Sequence, residues 1–197
     1  MVLTDNFIWT HLPRTGGTST VAMFEVFGIM SVHADNDYRK HQTFRECIEQ
    51  RLVDEKRHHV CNLRRLIPWL QSIGKCQLQY PGGIFDPQCA KQGLVYLLHN
   101  DQTRAVWLAH VDQILTEYMI PRVDTWLRTE HLKEDFIAMI SRFTTVTKKQ
   151  ERQLSRIHKN RGIDTTRVWT KRECRQIYAA CPGWAALERQ VYGDLPR

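Results

Sequence analysis

The segment Pro13-Arg14-Thr15-Gly16-Gly17-Thr18-Ser19 concentrates residue types that can hold an anion. Two adjacent glycines allow close backbone approach, Thr18 and Ser19 supply hydroxyl donors, and Arg14 supplies a permanent charge that can place two parallel hydrogen bonds on phosphate or sulfate oxygens. An apolar run, Phe7 to Leu12, comes before the segment, and Val21, Met23, Phe24 and Phe27 recur at helical spacing after it. Strand, turn and helix in that order aim unpaired amides and the positive end of a helix dipole at whatever anion the turn binds. The same residues also suit a plain strand-to-helix turn with Thr18 as N-cap. No Gly-Lys pair is present, so the segment departs from the Gly-x-x-x-x-Gly-Lys-Ser/Thr pattern of nucleoside-triphosphate loops. A later apolar run, His58 to Leu63, leads into Arg64 rather than into an acidic residue able to hold Mg²⁺, which disfavours ATP hydrolysis.

The elements that must position these residues alternate along the chain. After the first strand and helix, Met30 to His33 reads as a short strand and Thr43 to Leu52 as a helix with Phe44, Ile48 and Leu52 on one face. His58 to Leu63 is the next strand, passing directly into a helix opened by Pro68; Cys76 to Gln88, rich in Pro and Gly, reads as a loop. Thr103 to Met119 has the apolar spacing of an amphipathic helix stopped by Pro121, and Val123 to Leu127 and Leu132 to Ile140 follow as strand and helix. Thr170 with Glu173 forms a capping-box signature for the last helical region, which Pro182 and Gly183 interrupt. The pattern predicts a parallel α/β sheet with helices on both faces and ligands beyond the C-terminal strand ends.

Composition narrows the class. The chain has 197 residues, 42% hydrophobic and 25% charged, which excludes collagen-like, low-complexity and wholly disordered chains. No repeat and no Ser/Gly-rich linker divides it, so a single domain over 1–197 is expected. Lys and Arg outnumber Asp and Glu by 28 to 21, a net charge of +7 that suits an anionic ligand. No apolar run reaches the length of a membrane span, and the first strand starts too near Met1 for a signal peptide to precede it; a cytoplasmic location is the expectation. Six dispersed cysteines, with no Cys-x-x-Cys pair, are expected to be reduced and mostly buried.

His11-Leu12-Pro13-Arg14-Thr15-Gly16-Gly17-Thr18-Ser19 resembles the Pro-Lys-Thr-Gly-Gly-Thr-Ser loop of sulfotransferases, with Arg14 where that family usually has Lys. The resemblance implies a P-loop-like α/β fold and a loop that cradles the 5′-phosphosulfate of 3′-phosphoadenosine 5′-phosphosulfate (PAPS). Arg14, Thr15, Gly16, Gly17, Thr18 and Ser19 would then contact the donor. Family members also carry a strand ending in Arg, with a Ser eight residues later, that bind the 3′-phosphate; Arg64 and Ser72 have this spacing. The family's Arg-Asn/Asp-Pro turn is replaced here by Arg64-Arg65-Leu66. Residues Val123 to Phe136, with Arg128-Thr129-Glu130-His131-Leu132 and Asp135-Phe136, are similar to the family's late strand and helix. Ile177-Tyr178 and Tyr192-Gly193 resemble its ending. The four patches occur in family order between residues 8 and 193.

The resemblance further implies sulfuryl transfer to a hydroxyl, with a carbohydrate acceptor expected and no metal required. Arg14 would stabilise the departing phosphate, and a His or carboxylate would take the acceptor proton. His41, in a segment similar to the His-x-Thr of carbohydrate-acting members, is the first candidate and His33 the second, with Glu46 or Asp35 as carboxylate alternatives. Arg65 either assists the 3′-phosphate or faces solvent, and Lys159, Arg161 and Gly162 either close a basic loop over the nucleotide or form a solvated charge run. His58 and His59 enter a strand expected to be buried, where packing or a satisfied core hydrogen bond is their expected role. Two rival classes remain: a nucleotide or sugar kinase with an atypical loop, and a non-catalytic polyanion- or RNA-binding domain drawing on the basic charge and on Trp69 or Trp169.

Overall fold

The computed structural model describes residues 1–30, 41–79, 111–119, 122–157 and 169–195, and of residues 74–79 only the backbone. The chain divides into two compact units, one drawn from Met1–Arg64 and Glu117–Arg161, the other from Arg65–Thr116 and Gly162–Arg197.

The first unit is an α/β layer built on a four-stranded sheet in the order β1-β2-β3-β4. Strand β1 (Val2–Leu3) runs antiparallel to β2 (Phe7–His11), and β2, β3 (His58–Leu63) and β4 (Thr125–Arg128) are parallel. Every residue of β2 is buried, as expected for a strand covered on both faces. Alternation then sends Phe7 and Trp9 to one face and Ile8 to the other. Helices α1 (Gly17–Glu25) and α5 (Leu132–Ile140) bring Met23, Phe24, Phe136 and Met139 onto the Phe7–Trp9 face, where Phe24 and Phe136 meet edge to face at 4.9 Å. Each such fully buried aromatic or aliphatic side chain contributes about 1.5–3 kcal/mol of hydrophobic stabilisation. Helix α2 (Phe44–Glu49) covers the opposite face, with Phe44 and Cys47 packed on Met1, Ile8 and Val53. Helix α6 (Lys148–Leu154) adds Leu154 to the first core.

The second unit contains α3 (Leu66–Gln79), the greater part of a helical stretch α4 over residues 111–118, α7 (Lys171–Ala180) and α8 (Pro182–Tyr192). Its helix ends are capped by side chains distant in sequence. The Asp112 carboxylate accepts from the Gly183 and Trp184 amides at 2.8 and 2.7 Å, and the fully buried Glu188 carboxylate accepts from the Leu66 amide that opens α3. Glu188 also accepts from the Tyr178 hydroxyl at 3.1 Å, and that burial beside a carboxylate raises the tyrosine pKa. Arg65 lies 2.9 Å from Asp194 and 3.5 Å from Glu188 and stacks over Tyr192, so this arginine serves an internal ion-pair network.

Several expectations shift. Strand β4 begins two residues late because Asp124 uses its carboxylate to accept from the His59 amide at 2.9 Å, making a polar lead-in. The helix expected from Thr43 to Leu52 opens at Phe44 on a capping box of Thr43 with Glu46 that was not read from the sequence, but it stops at Glu49 and Leu52 turns outward, 43% exposed; Cys47 takes the buried place. Helix α3 opens at Leu66, two residues before Pro68, where Glu188 caps its first amide, and the expected loop from Cys76 is helical as far as Gln79. The Thr170–Glu173 box and the break at Pro182 stand as read. Of the other readings, residues 31–33 and 103–110, the remainder of the loop to Gln88, and His33, Asp35, Lys159, Arg161 and Gly162 lie outside the described residues. Among the described residues no helix is long and apolar enough to cross a membrane. Cys47, Cys61 and Cys181 are buried, Cys174 is half-buried, and desolvation pushes the Cys61 thiol up to about 12.

His59 is fully buried, its Nε2 2.8 Å from the Thr10 hydroxyl and its Nδ1 3.2 Å from the Arg122 carbonyl. Desolvation lowers its pKa from 6.5 to about 4, and His58, beside Arg142, is also lowered, chiefly by desolvation. An unfolded chain therefore binds protons between about pH 6.5 and 4 that the folded chain does not, so stability falls as the pH drops through that window. Thermal unfolding between pH 7 and 4.5 is expected to show this loss, reaching about 3 kcal/mol for full protonation of the unfolded His59, with a flatter profile for His59→Gln.

Candidate functional site

The C-terminal ends of β2, β3 and β4 share one edge of the sheet, because His11 pairs with Asn62 and Leu63 with Arg128. The turn from β2 into α1 lies at this edge. Thr15 closes it, its amide donating to the Leu12 carbonyl at 3.4 Å and its hydroxyl to the same carbonyl at 2.7 Å. The Thr15 side chain is fully buried, so this hydroxyl shapes the turn and is not among its outward donors. Arg14 adopts φ 68° and Gly16 φ 90°. The left-handed region suits glycine but costs a side-chain-bearing residue such as Arg14 roughly 1 kcal/mol, which surrounding bonds must offset.

Those bonds come from the neighbouring strands. The Thr15 carbonyl accepts from Asn62 Nδ2 at 2.8 Å and from the Thr129 hydroxyl at 2.7 Å; that hydroxyl also lies 3.0 Å from the Leu63 carbonyl. Asn62 is fully buried, and its amide orientation is chemically determined. Indole Nε1 of Trp9 can only donate, and it meets Oδ1 at 2.6 Å; Nδ2 then donates to Thr15 O and, at 2.9 Å, to the Thr20 hydroxyl of α1. Arg64, one residue beyond β3, donates from Nη1 to the Arg14 carbonyl at 3.2 Å. The structure thus brings Arg14, Gly16, Gly17, Thr18, Ser19 and Arg64 to one edge.

Outward from the turn, Arg14 and Thr18 are exposed and Ser19 is half-buried. The first bond of α1 runs from the Thr20 amide to the Gly16 carbonyl at 3.0 Å, so the amides of Gly17, Thr18 and Ser19 precede the helical ladder. Gly16 is the N-cap, not Thr18. Donors and positive charge therefore gather at the helix start, an arrangement that can hold a phosphate or sulfate group. Arg128, by contrast, is fully engaged with Asp135 through Nε and Nη2 at 2.8 and 2.7 Å, which braces β4 against α5. Ser72 lies within α3 of the second unit and is half-buried.

His11 is the residue that the sequence reading passed over. It is buried, stacks on Trp9 at 4.7 Å with 6° between ring planes, and meets the His41 ring at 4.6 Å. A Cβ placed on Gly17 would lie 2.1 Å from His11 Nε2 and 2.3 Å from its Cδ2. The second glycine of the pair is therefore required by an imidazole on the inner side of the turn. His41 is half-buried; its Nδ1 is 3.5 Å from the His11 carbonyl, and its own carbonyl accepts from the Tyr118 hydroxyl. Glu46 is occupied in the α2 capping box, bound to the Thr43 amide at 2.6 Å. The sequence signal for His11 was its place two residues beyond Trp9 on one strand face; that for Asn62 was an amide within an otherwise apolar strand.

Among the described residues no group of three His, Cys, Asp or Glu side chains could hold a metal ion. No family model, curated protein or solved structure matches the chain.

Gly17→Ala is expected to destabilise the first unit by about 1–3 kcal/mol, as overpacking does. Adding His11→Ala should recover part of that loss, and a denaturant double-mutant cycle measures the coupling.

Proposed function

We propose that this chain is a sulfotransferase of P-loop-like architecture that moves a sulfuryl group from PAPS to a hydroxyl, with a carbohydrate as the acceptor class. The observation that carries the reading is the meeting of the Arg14–Ser19 turn and Arg64 at one sheet edge, with Arg64 Nη1 3.2 Å from the Arg14 carbonyl. The similarity of the turn, of Arg64 with Ser72, and of residues 123–136 to the family's motifs adds to it. Against a kinase reading stands Arg64 at the end of β3, where a magnesium-dependent site needs a carboxylate.

The exposed Arg14 and Thr18 and the amides at the start of α1 put donors and positive charge at the outer face of the turn, which suits an anion. When bound, PAPS supplies a sulfuryl group whose bond to the 5′-phosphate breaks as the acceptor oxygen forms its own bond to sulfur. Arg14 and the amides of Gly17, Thr18 and Ser19 stabilise the charge left on the phosphate, and Arg64 engages the 3′-phosphate. His41 takes the acceptor proton; its ring lies against His11, which touches Gly17 at the start of α1. In-line transfer of this kind rests on positioning and charge compensation rather than on a metal-bound nucleophile.

Calorimetric titration with 3′,5′-adenosine bisphosphate tests the reading. Binding that is indifferent to Mg²⁺ and weakened about 10- to 100-fold by Arg64→Ala, the loss expected for a charge-assisted hydrogen bond to phosphate, supports it. Preference for ATP with Mg²⁺ points instead to a kinase. Binding confined to long polyanions with a steep salt slope points to a polyanion-binding domain.

A further inference from the structure

We infer that His11 is a positioning residue that seats the His41 imidazole against the phosphate-binding turn; the inference rests on the sulfotransferase reading and names how its base is held. Three contacts define the seat. One face of the His11 ring lies flat on the Trp9 indole at 4.7 Å, and the indole is itself pinned by the 2.6 Å bond from Nε1 to Asn62. The Nε2–Cδ2 edge fills the space that a side chain on Gly17 would take. The His41 ring then leans on His11 at 4.6 Å, inclined by 58°.

Each contact restricts a different freedom. The indole fixes the plane of the His11 ring, and Gly17 fixes how far that ring reaches toward α1. Those two constraints leave the His41 ring a surface whose place is set by the turn itself. The backbone at His41 is tied separately, since its carbonyl accepts from Tyr118, while its ring Nδ1 sits 3.5 Å from the His11 carbonyl. Backbone anchoring alone leaves a side chain its rotamer freedom, and the packed ring removes it. A misplacement of about 1 Å in a reacting group costs roughly 100-fold in rate, so a base held in this way gains its effect through geometry.

The turn does not depend on this seat for its shape. Its Thr15 carbonyl is clamped by Asn62 and Thr129, and Arg64 holds the Arg14 carbonyl. Removing the His11 ring should therefore leave the anion-binding donors in place while releasing His41. This separation distinguishes a positioning role from a merely structural one, which would lose both together.

Imidazole NMR on the full chain reads the two effects independently, with 3′,5′-adenosine bisphosphate as the probe and the His11 and His41 signals assigned by single substitution. In the unsubstituted protein the His41 signal should shift on adding the bisphosphate. In His11→Ala, affinity should stay within about threefold, as for independent sites, while the His41 shift is lost. His11→Phe, whose flat ring can stack on Trp9 and fill the seat, should restore the shift; this variant also guards against a folding defect in His11→Ala. A bound bisphosphate with an unchanged His41 response in His11→Ala overturns the inference alone, as does failure of His11→Phe to restore the response. Absence of bisphosphate binding to the unsubstituted protein overturns the donor reading and, with it, this inference.

Discussion

The structure of the first unit depends on one buried amide. Asn62 sits within β3 with no solvent to satisfy it, and its side chain is used at both ends, accepting from Trp9 and donating to the Thr15 carbonyl and the Thr20 hydroxyl. A typical internal hydrogen bond contributes about 1 kcal/mol net, whereas leaving a buried partner unmade costs about 1–3 kcal/mol. The constraint is thus stronger than the sum of its bonds suggests. Any displacement of the turn or of α1 leaves an indole N–H, a carbonyl or the amide itself without a partner. One side chain in this way ties β2, the turn after it and the helix beyond to β3.

That tie explains why a strained turn persists. Arg14 in the left-handed region is costly, and Gly16 in the same region is not. The chain accepts the first because the residue between them, Thr15, is immobilised by its own hydroxyl and by two donors on its carbonyl. Parallel register does the rest. With His11 opposite Asn62 and Leu63 opposite Arg128, the chain leaving each of the three parallel strands emerges at the same edge, so Arg14 and Arg64 are neighbours although fifty residues separate them.

Local signals in the sequence were sufficient where local physics decides the structure. The apolar run gave β2; β3 and α5 run over the expected residues, and the Thr170 box opens the helix it announces. The sequence misleads where a local turn without a sequence signature, or a distant partner, decides. Leu52 shares helical spacing with Phe44, yet the helix ends before it, because Gln50 and Arg51 turn the chain and Arg51 itself has φ 57°. Arg65 looks identical to Arg64 in the sequence, and only the carboxylates of Asp194 and Glu188, more than a hundred residues later, separate its task from that of its neighbour. Strand β1 has two residues, too few for any periodicity to register. Of the candidate site, the turn and its outward donors were legible; the imidazole behind it was not, since nothing in a one-dimensional pattern tells which side of a glycine is crowded.

The crowding changes how the glycine pair is to be understood. A Gly-Gly turn invites the view that both residues are small for the ligand's sake. Here Gly16 answers a backbone angle, and the contacts a Cβ would make there, 3.4 Å to Leu132 and 3.6 Å to Thr129, are ordinary. Gly17 answers His11. Both requirements come from the protein side of the turn, and the outward amides inherit their direction from them. Trp9 and Asn62 consequently belong to the same device as Arg14 to Ser19: the bonds through Asn62 hold the turn and the first turn of α1, and the start of the helix sets where an anion is held. A substitution at Asn62 would then reach the outer face of the turn without touching it, because its amide bonds both the Thr15 carbonyl and the Thr20 hydroxyl of α1.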